Sequence, residues 1–268
     1  MIGSFAIGGE LNVHRLGFGA MRLPGVRGPE RPGATREVLR EALRLGVNLI
    51  DTAQIYGRSE DLIADALHPY PEGLVIATKG GLRSGGHPDG RPDRLRADCE
   101  GSLRRLRLET IDLWQLHRID PGVPVDEQFG VIRQLRDEGK IRFVGVSEVT
   151  VDELRQAREL IDVVTVQNRF NVAEQTAADV LNACEADGIG FIPWAPIARG
   201  DLAQYSSALG AVAARHEATP AQVALAWLLH RSPVVLPIPG TGSPEHLREN
   251  VEAASIELSE EDLLALLT

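Results

Sequence analysis

Short runs of almost entirely apolar residues recur along the whole chain, and each is followed by a segment whose apolar positions return every three to four residues. Strands without polar alternation are typical of a parallel sheet covered by helices on both faces. Segments such as SEDLIADAL and TPAQVALAWLLHR have the period of amphipathic helices. The eight apolar runs are RLGFGA (15–20), VNLIDT (47–52), LVIATK (74–79), IDLWQL (111–116), IRFVGVS (141–147), DVVTVQ (162–167), GIGFIPW (188–194) and VVLPIP (234–239).

Eight strand–helix units in 268 residues match the size of a (β/α)8 barrel, so the pattern predicts an α/β protein with the TIM-barrel fold. The alternative is a doubly wound open sheet. No G-x-G-x-x-G follows an early strand, and that motif is the usual dinucleotide fingerprint of the open sheet. The stretch 5–13 predicts an N-terminal β-hairpin, and 258–267 predicts a C-terminal helix capped by Ser259. No linker interrupts the pattern, and we expect one domain over residues 1–268.

The composition is that of an ordinary globular protein, with 43% hydrophobic and 25% charged residues. A net charge of −10 and the lack of a basic run argue against nucleic acid or an anionic membrane as partner. No signal peptide or membrane span is visible, and Cys99 and Cys184 have no disulfide or metal spacing, so we expect a cytoplasmic protein. The seven histidines are scattered without an H-x-x-x-H spacing, and we expect no metal site.

Polar residues stand where several predicted strands end, which is the face of a barrel that carries active sites. Asp51 closes the second run, and Tyr56 lies in the loop after it. Lys79 closes the third run, and His117 follows the fourth. Because these four side chains come from three adjacent strands, we expect them to converge on one point. The later runs end in further polar or aromatic residues, namely Ser147, Gln167, Asn168 and Trp194.

The four converging side chains have the chemistry of a tuned general acid. An isolated tyrosine has a pKa near 10 and is a poor proton donor at neutral pH. An ammonium group beside it, here Lys79, favours the phenolate, and Asp51 would hold that ammonium in place. His117 can orient a carbonyl oxygen, so the group meets the requirement for reducing a carbonyl with a hydride. Each residue alone has an ordinary structural explanation, but coincidence at successive strand ends is the weaker account.

The segments that carry these residues, LIDTAQIYG, VIATKGG and DLWQLHRID, resemble the catalytic segments of the aldo-keto reductases in the same order. The resemblance extends from LGFGAMRL to SPEHLREN and points to short bacterial-type members, among them pyridoxal reductases. It implies a catalytic tetrad of Asp51, Tyr56, Lys79 and His117. Tyr56 would be the proton donor, Lys79 and Asp51 would tune it, and His117 would orient the substrate.

The resemblance also implies a nicotinamide cofactor lying across the mouth of the barrel. Ser147 and Gln167 would hold its carboxamide, and Trp194 would stack on its ring, because stacking needs a flat face. The SPEH start of a helix would offer backbone N–H groups to a phosphate, as helix N-termini do. The remaining residues that the resemblance places against the cofactor are Gly19, Ala20, Met21, Asp51, Ala195, Pro196, Ile197, Gly200, Leu202, Pro239, Gly240, Thr241, Gly242, Ser243, His246, Glu249 and Asn250.

Three positions depart from the family pattern. Glu148 stands where an asparagine usually follows the serine, and a carboxylate cannot donate to a carboxamide oxygen. Gly240 and His246 stand where many members have a lysine and an arginine for the 2′-phosphate of NADP, which weakens the electrostatic case for NADPH. We still expect NADPH rather than NADH, since Thr241, Ser243 and the helix start remain as phosphate donors.

We expect an open pocket that takes small or mixed aldehydes, because the chain continues only briefly past its last predicted helix. The residues near its walls are Met21, Ile55, Leu82, Arg118 and Trp194. The predicted function is NADPH-dependent reduction of an aldehyde or ketone to an alcohol. One alternative is a cofactor-binding, redox-sensing interaction module with little turnover. Another is an aldolase with Lys79 as a Schiff-base amine, which an adjacent Asp51 disfavours.

Overall fold

The structure, a computed structural model, describes residues 3–26, 29, 32–197 and 206–266. It begins with an antiparallel hairpin of two strands, β1 (Ser4–Ile7) and β2 (Leu11–His14). The turn between them holds Gly8 and Gly9 at φ values of 60° and 76°. Glycine adopts this left-handed conformation without steric cost, which explains the Gly-Gly pair. The predicted N-terminal hairpin is therefore confirmed.

A parallel sheet of seven strands follows the hairpin, and its neighbours pair in chain order. The strands are β3 (Phe18–Gly19), β4 (Leu49–Asp51), β5 (Val75–Gly80), β6 (Ile111–Leu116), β7 (Ile141–Ser147), β8 (Val163–Gln167) and β9 (Gly190–Phe191). The helices are α1 (Pro32–Arg44), α2 (Ser59–Leu67), α3 (Pro92–Leu106), α4 (Val125–Asp137), α5 (Val151–Leu160), α6 (Ala178–Asp187), α7 (Ser206–Arg215), α8 (Pro220–Arg231), α9 (Pro244–Glu252) and α10 (Glu260–Ala265). Each parallel strand is followed by at least one helix, as the alternating pattern predicted.

The eighth apolar run, 234–239, closes the barrel without forming a regular strand. On one side the backbone N–H of Phe191 in β9 donates to the carbonyl of Val234 at 2.8 Å. On the other side Gly17 donates to Pro237 at 2.9 Å, and Gly19 in β3 donates to Pro239 at 3.2 Å. Proline has no N–H to return these bonds, so the ladder is irregular here. The (β/α)8 barrel is confirmed, and this proline-containing segment takes the place of its eighth strand.

The interior of the barrel is apolar at the end covered by the hairpin. One buried cluster joins the hairpin to the inward-facing residues of the strands: Ile7, Leu11, Val13, Leu49, Val75, Ala77, Leu113, Val164, Ile192, Leu236 and Ile238. A second, larger cluster fills the layer between the sheet and the outer helices. Because the hairpin closes one end, the opposite end, where the strands have their carboxyl termini, is the open mouth of the barrel.

The predicted C-terminal helix is present as α10, and Ser259 caps it as expected. The hydroxyl of Ser259 accepts from the backbone N–H of Asp262 at 3.2 Å. The ring of His216 and the guanidinium of Arg215 bind the buried Asp262 carboxylate and hold its pKa well below the usual value. These bonds fasten α10 to α7. Of the helices in the described ranges, none combines the length and the apolar character needed to cross a membrane.

Candidate active site

Asp51 and Lys79 form a buried ion pair at the carboxyl ends of two neighbouring strands. Lys79 lies near the end of β5, where residues alternate between the barrel interior and the helix layer. Its neighbour Thr78 donates to Glu60 of α2 at 2.6 Å, so Lys79 points the opposite way, into the barrel. Its Nζ donates to Asp51 Oδ2 and to the carbonyl of Thr52, both at 2.7 Å. The Lys79 and Asp51 side chains are 0% and 3% exposed, so the ammonium is fixed in position.

The second oxygen of Asp51 is also occupied. Its Oδ1 accepts from the side-chain amides of Gln167 at 2.9 Å and Gln115 at 3.3 Å. The resemblance assigned Gln167 to the carboxamide of the cofactor. Its amide nitrogen is turned to Asp51, while the residue also lines the cavity described below. Gln115 lies buried in β6, and nothing in the sequence distinguishes it from a core residue.

Tyr56 and His117 lie beside the Lys79 ammonium. The ring of Tyr56 is 5.3 Å from Lys79 Nζ, and it meets the His117 ring edge-on with centroids 6.1 Å apart. Tyr56 is held by a turn in which its N–H donates to the carbonyl of Ala53 at 3.0 Å. The structure thus brings together the four residues that the strand ends predicted.

His117 is neutral in this environment. Burial, together with the nearby positive charges of Lys79 and Arg118, lowers its pKa to about 2. Its Nδ1 is buried and forms no hydrogen bond within the described part of the chain. A neutral imidazole keeps one N–H to donate to an oxygen in the cavity.

Asp51, Tyr56 and His117 line a cavity of about 480 Å³ at the mouth of the barrel, and Lys79 is buried behind them. Most of the residues that the resemblance placed against the nicotinamide lie in its walls. The lining consists of Gly19, Met21, Arg22, Asp51, Ile55, Tyr56, Leu82, Gly86, His117, Arg118, Ser147, Gln167, Trp194, Ala195, Pro196, Ile197, Ile238 and Gly240. Met21, Ile55, Leu82, Arg118 and Trp194 are the wall residues expected from the sequence. Gly200 and Leu202 lie outside the described residues.

Arg118 directly follows His117 and reaches the end of the next strand. Its Nη1 donates to the carbonyl of His117 at 2.5 Å and to Ser147 Oγ at 3.2 Å. The sequence placed Arg118 in the wall without a role. The signal that could have found one is a cation immediately after a strand-end histidine on the open face of the barrel.

Glu148 holds Trp194, a contact that sequence analysis did not foresee. It directly follows β7 and has a left-handed conformation, with φ at 55°. Its Oε1 accepts from Trp194 Nε1 at 2.5 Å and from the backbone N–H of Arg169 at 2.7 Å. The Arg169 guanidinium lies 5.7 Å from the Trp194 ring centroid. Glu148 Oε2 is 3.9 Å from Arg118 Nη2, so one carboxylate stands between the aromatic wall and the cation of the cavity.

Asn168, also at a strand end, has a structural role. Its side chain donates to the carbonyl of Val149 at 2.7 Å and accepts from the N–H of the same residue at 3.1 Å. The amide therefore fixes the loop after β7, and Asn168 is not among the residues that line the cavity.

The segment before α9 approaches β3 too closely for a side chain at position 240. A Cβ on Gly240 would lie 2.6 Å from the carbonyl oxygen of Gly19, and a Cβ on Gly19 would lie 2.7 Å from that of Ile238. The glycine at 240 is therefore required by backbone contact, and a lysine would need the two segments to separate. The positive charge expected at this position from the family pattern is sterically incompatible with the arrangement.

The predicted phosphate end lies at the start of α9, away from the cavity. Ser243 caps the helix, with its Oγ accepting from the N–H of His246 at 3.4 Å. Thr241 Oγ1 accepts from the N–H of Ser243 at 3.0 Å. Neither hydroxyl donates its own hydrogen to a residue in the described ranges. The other residues predicted here or next to the mouth occupy these places: Ala20 follows β3, Pro239 and Gly242 flank the turn, and Glu249 and Asn250 lie in α9.

Comparison with known proteins gives a consistent result. The model described as Aldo/keto reductase family matches residues 15–266. The chain is 49% identical over 262 residues to an uncharacterized oxidoreductase of Schizosaccharomyces pombe, covering 94% of this chain and 85% of the relative. It is 41% identical over 273 residues to pyridoxine 4-dehydrogenase of Escherichia coli, covering 96% of this chain and 95% of that enzyme.

Solved structures share the fold. A thermostable aldo-keto reductase in complex with the inhibitor epalrestat superposes with a TM-score of 0.89, at 31% identity and 98% coverage of both chains. An aldo-keto reductase from Klebsiella pneumoniae in complex with NADPH superposes with a TM-score of 0.86, at 27% identity, covering 99% of this chain and 94% of that one.

Proposed function

We propose, since the chain belongs to the aldo/keto reductase family, that it reduces an aldehyde or ketone to an alcohol with a nicotinamide cofactor. The observation that carries the proposal is the buried Lys79–Asp51 pair, 2.7 Å apart, whose ammonium lies 5.3 Å from the ring of Tyr56, a residue that lines the cavity. A tight buried pair beside an accessible phenol is the arrangement that general-acid chemistry requires.

Tyr56 gives the proton to the carbonyl oxygen. Negative charge develops on the phenol oxygen as the proton leaves, and the Lys79 ammonium stabilises that charge. Asp51 keeps the ammonium in place and is itself held by Gln167 and Gln115. Because Nζ also donates to the carbonyl of Thr52, the lysine is poorly suited to attack a substrate as a free amine, and this geometry argues against the aldolase.

His117 orients the substrate and stays neutral while doing so. With a pKa lowered to about 2 by burial, it does not compete with Tyr56 as the proton donor at neutral pH. Its single N–H donates to the carbonyl oxygen and holds that oxygen beside the phenol.

The cavity fits a nicotinamide. When bound, the cofactor supplies a hydride to the carbonyl carbon, which balances the proton that Tyr56 gives to the oxygen. Trp194 presents a ring face held by Glu148, and Ser147 and Gln167 stand at the neighbouring strand ends. We favour NADPH over NADH because Thr241, Ser243 and the start of α9 provide hydroxyl and N–H donors for a phosphate, and because the related Klebsiella pneumoniae protein was solved with NADPH.

Pyridoxal is the substrate to try first, because the Escherichia coli relative is named a pyridoxine 4-dehydrogenase. The test follows the loss of nicotinamide absorbance with NADPH or NADH and a panel of aldehydes that includes pyridoxal. We expect turnover with at least one aldehyde and a lower KM for NADPH than for NADH. Tight cofactor binding without turnover on any carbonyl would contradict the reductase and favour a redox-sensing interaction module.

Tyr56→Phe tests the proton donor. We expect kcat to fall by about 10²- to 10⁴-fold, since the variant keeps the ring and loses the acid. Tyr70→Phe is the matched control, because the Tyr70 hydroxyl donates to the carbonyl of Leu106 at 2.8 Å, away from the cavity lining. Its kcat should stay within about twofold of the unsubstituted enzyme. Undiminished turnover in Tyr56→Phe would remove Tyr56 from the mechanism.

A further inference from the structure

Arg118 is a cation in an otherwise largely apolar cavity wall, beside the reacting groups. Its Nη1 donates to the carbonyl of His117 at 2.5 Å, and its charge helps to lower the pKa of that histidine, so the guanidinium lies close to where the carbonyl would lie. Burial lowers the pKa of Arg118 from its ordinary value, but a guanidinium remains charged at neutral pH. The side chain is 31% exposed, and Arg118 lines the cavity.

Only one nitrogen of the Arg118 guanidinium donates hydrogen bonds to described residues, and the other two have donors available. Nη1 is taken by the carbonyl of His117 and by Ser147 Oγ. Nε and Nη2 donate no hydrogen bond to any residue that the structure describes. The carboxylate of Glu148 is 3.9 Å from Nη2, which is too long for a hydrogen bond, and its other oxygen is occupied by Trp194 and Arg169.

The other charges of the cavity do not offer the same donors. Asp51 is neutralised by Lys79, whose ammonium is fully buried and bound by two acceptors. Arg22 also lines the cavity, but its backbone lies beside Gly242, on the side that leads to α9. Arg118 is thus the cation placed on the wall next to His117 with an unused pair of adjacent donors, Nε and Nη2.

We infer that Arg118 binds the carboxylate of the substrate, so that the enzyme selects aldehydes or ketones that carry a carboxylate near the carbonyl group. The inference rests on the proposed carbonyl reduction and names its substrate class. The Nε and Nη2 edge of a guanidinium matches the two oxygens of a carboxylate in a bidentate pair, and such charge-assisted bonds are among the strong ones. The Nη1 bonds to His117 and Ser147 hold the guanidinium so that this edge keeps its direction.

The test compares each acid with its neutral ester. The substrates are 3- and 4-carboxybenzaldehyde and the corresponding methyl formylbenzoates, assayed with the preferred cofactor in the full-length enzyme. We expect kcat/KM for at least one acid to exceed that of its ester by about tenfold or more. The two isomers place the carboxylate at different distances from the carbonyl, so the better isomer reports where the guanidinium binds.

Substitutions then assign the preference to one residue. Arg118→Gln should lower the acid-to-ester ratio by about 10- to 100-fold, and Arg118→Lys should retain part of it, because the charge remains without the fork. Arg22→Gln is the matched control for a general positive field at the cavity mouth and should leave the ratio unchanged. Should Arg118→Gln fail to fold, two other measurements test the same inference. The lysine variant should show a reduced acid-to-ester ratio, and the unsubstituted enzyme should be inhibited by benzoate but not by benzamide.

The inference is overturned if the unsubstituted enzyme favours neither acid over its ester. It is also overturned if Arg118→Gln slows acid and ester equally, since the arginine would then act only through His117 or Tyr56, or if Arg22→Gln removes the preference instead. If the enzyme turns over no acid, ester or other carbonyl compound, the proposed carbonyl reduction is wrong. If it turns over esters but not acids, the reduction stands and the inference about Arg118 is wrong.

Discussion

Two cation–carboxylate pairs lie beside the same cavity, and they differ in both their separation and their exposure. In the first, Lys79 Nζ is 2.7 Å from Asp51 Oδ2, and the side chains are 0% and 3% exposed. In the second, Arg118 Nη2 is 3.9 Å from Glu148 Oε2, and the side chains are 31% and 29% exposed. The first cation is surrounded by fixed acceptors. The second keeps donors that no described residue uses.

In the proposed reaction, this difference separates catalysis from substrate recognition. A cation that must stabilise charge on Tyr56 works best when it is already fixed, so that nothing reorganises during the reaction. A cation that must accept different substrates works best when part of it remains open to the cavity. The tight pair is thus suited to one chemical step, and the loose pair to the choice of substrate.

Removing the tight cation should have the largest effect on stability. Lys79→Met leaves the Asp51 carboxylate buried without a counter-charge, and we expect a loss of about 3–5 kcal/mol in the free energy of unfolding. Arg118→Met should cost about 1 kcal/mol or less, because both side chains of its pair are partly exposed, at 31% and 29%. Urea unfolding measures both variants.

The double variant Lys79→Met, Asp51→Asn is the control for this comparison, because it leaves no unpaired charge and should regain part of the loss. Equal losses at Lys79 and Arg118 would show that the two pairs are energetically alike, contrary to their geometry.

The histidine between the two cations should make stability depend on pH. The folded-state pKa of His117 is about 2, below its ordinary value of 6.5. Below pH 6.5 the unfolded chain therefore binds a proton that the folded chain refuses. The contribution is fully present above pH 6.5 and is lost as the pH falls, by about 1.4 kcal/mol between pH 7.5 and pH 5.5.

The measurement is the change in unfolding free energy between those two pH values, in the unsubstituted protein and in His117→Gln. The glutamine variant should lose less stability on acidification by that amount. His230→Gln, at an exposed histidine in α8, is the control and should behave like the unsubstituted protein. No difference between the two variants would place the His117 ring in contact with water.

The smallest expected effect concerns the carboxylate of the loose pair. Glu148→Ala removes the acceptor of the Trp194 N–H and should weaken cofactor binding about fivefold, the value of about one hydrogen bond. Glu148→Gln keeps an oxygen at the same place and should change affinity by less than about twofold. Quenching of tryptophan emission on cofactor titration measures both. If the two variants weaken binding equally, the charge facing Arg118 matters more than the contact with Trp194.

Much of the fold was readable because hydrophobic patterning is local. Apolar runs predicted every parallel strand, and the stretch 5–13 predicted the N-terminal hairpin. The exception is the last run, where Pro237 and Pro239 lack N–H groups and replace a regular ladder with one-sided bonds. The two prolines in this run indicate that the strand is irregular, which the apolar pattern alone does not.

The site was readable only as far as strand ends reveal it. Asp51 and Lys79 gather because parallel strands share one edge, and no side-chain detail is needed to expect this. The contact between Glu148 and Trp194 depends on a left-handed backbone at a residue other than glycine, which sequence does not signal. The glycine at position 240 was read as a lost charge, whereas its reason is backbone contact with Gly19.

The seam of the barrel has a consequence for when the cofactor site comes into existence. The backbone bonds of Gly17 and Gly19 to Pro237 and Pro239 join segments near opposite ends of the sequence. This junction forms one wall of the barrel mouth. A nascent chain in which residues 234–239 have not yet been synthesised therefore lacks that wall. Contacts this distant in sequence form late and slowly during folding. A nicotinamide cofactor would therefore bind only after the last strand segment has folded, and its binding would stabilise the closed barrel.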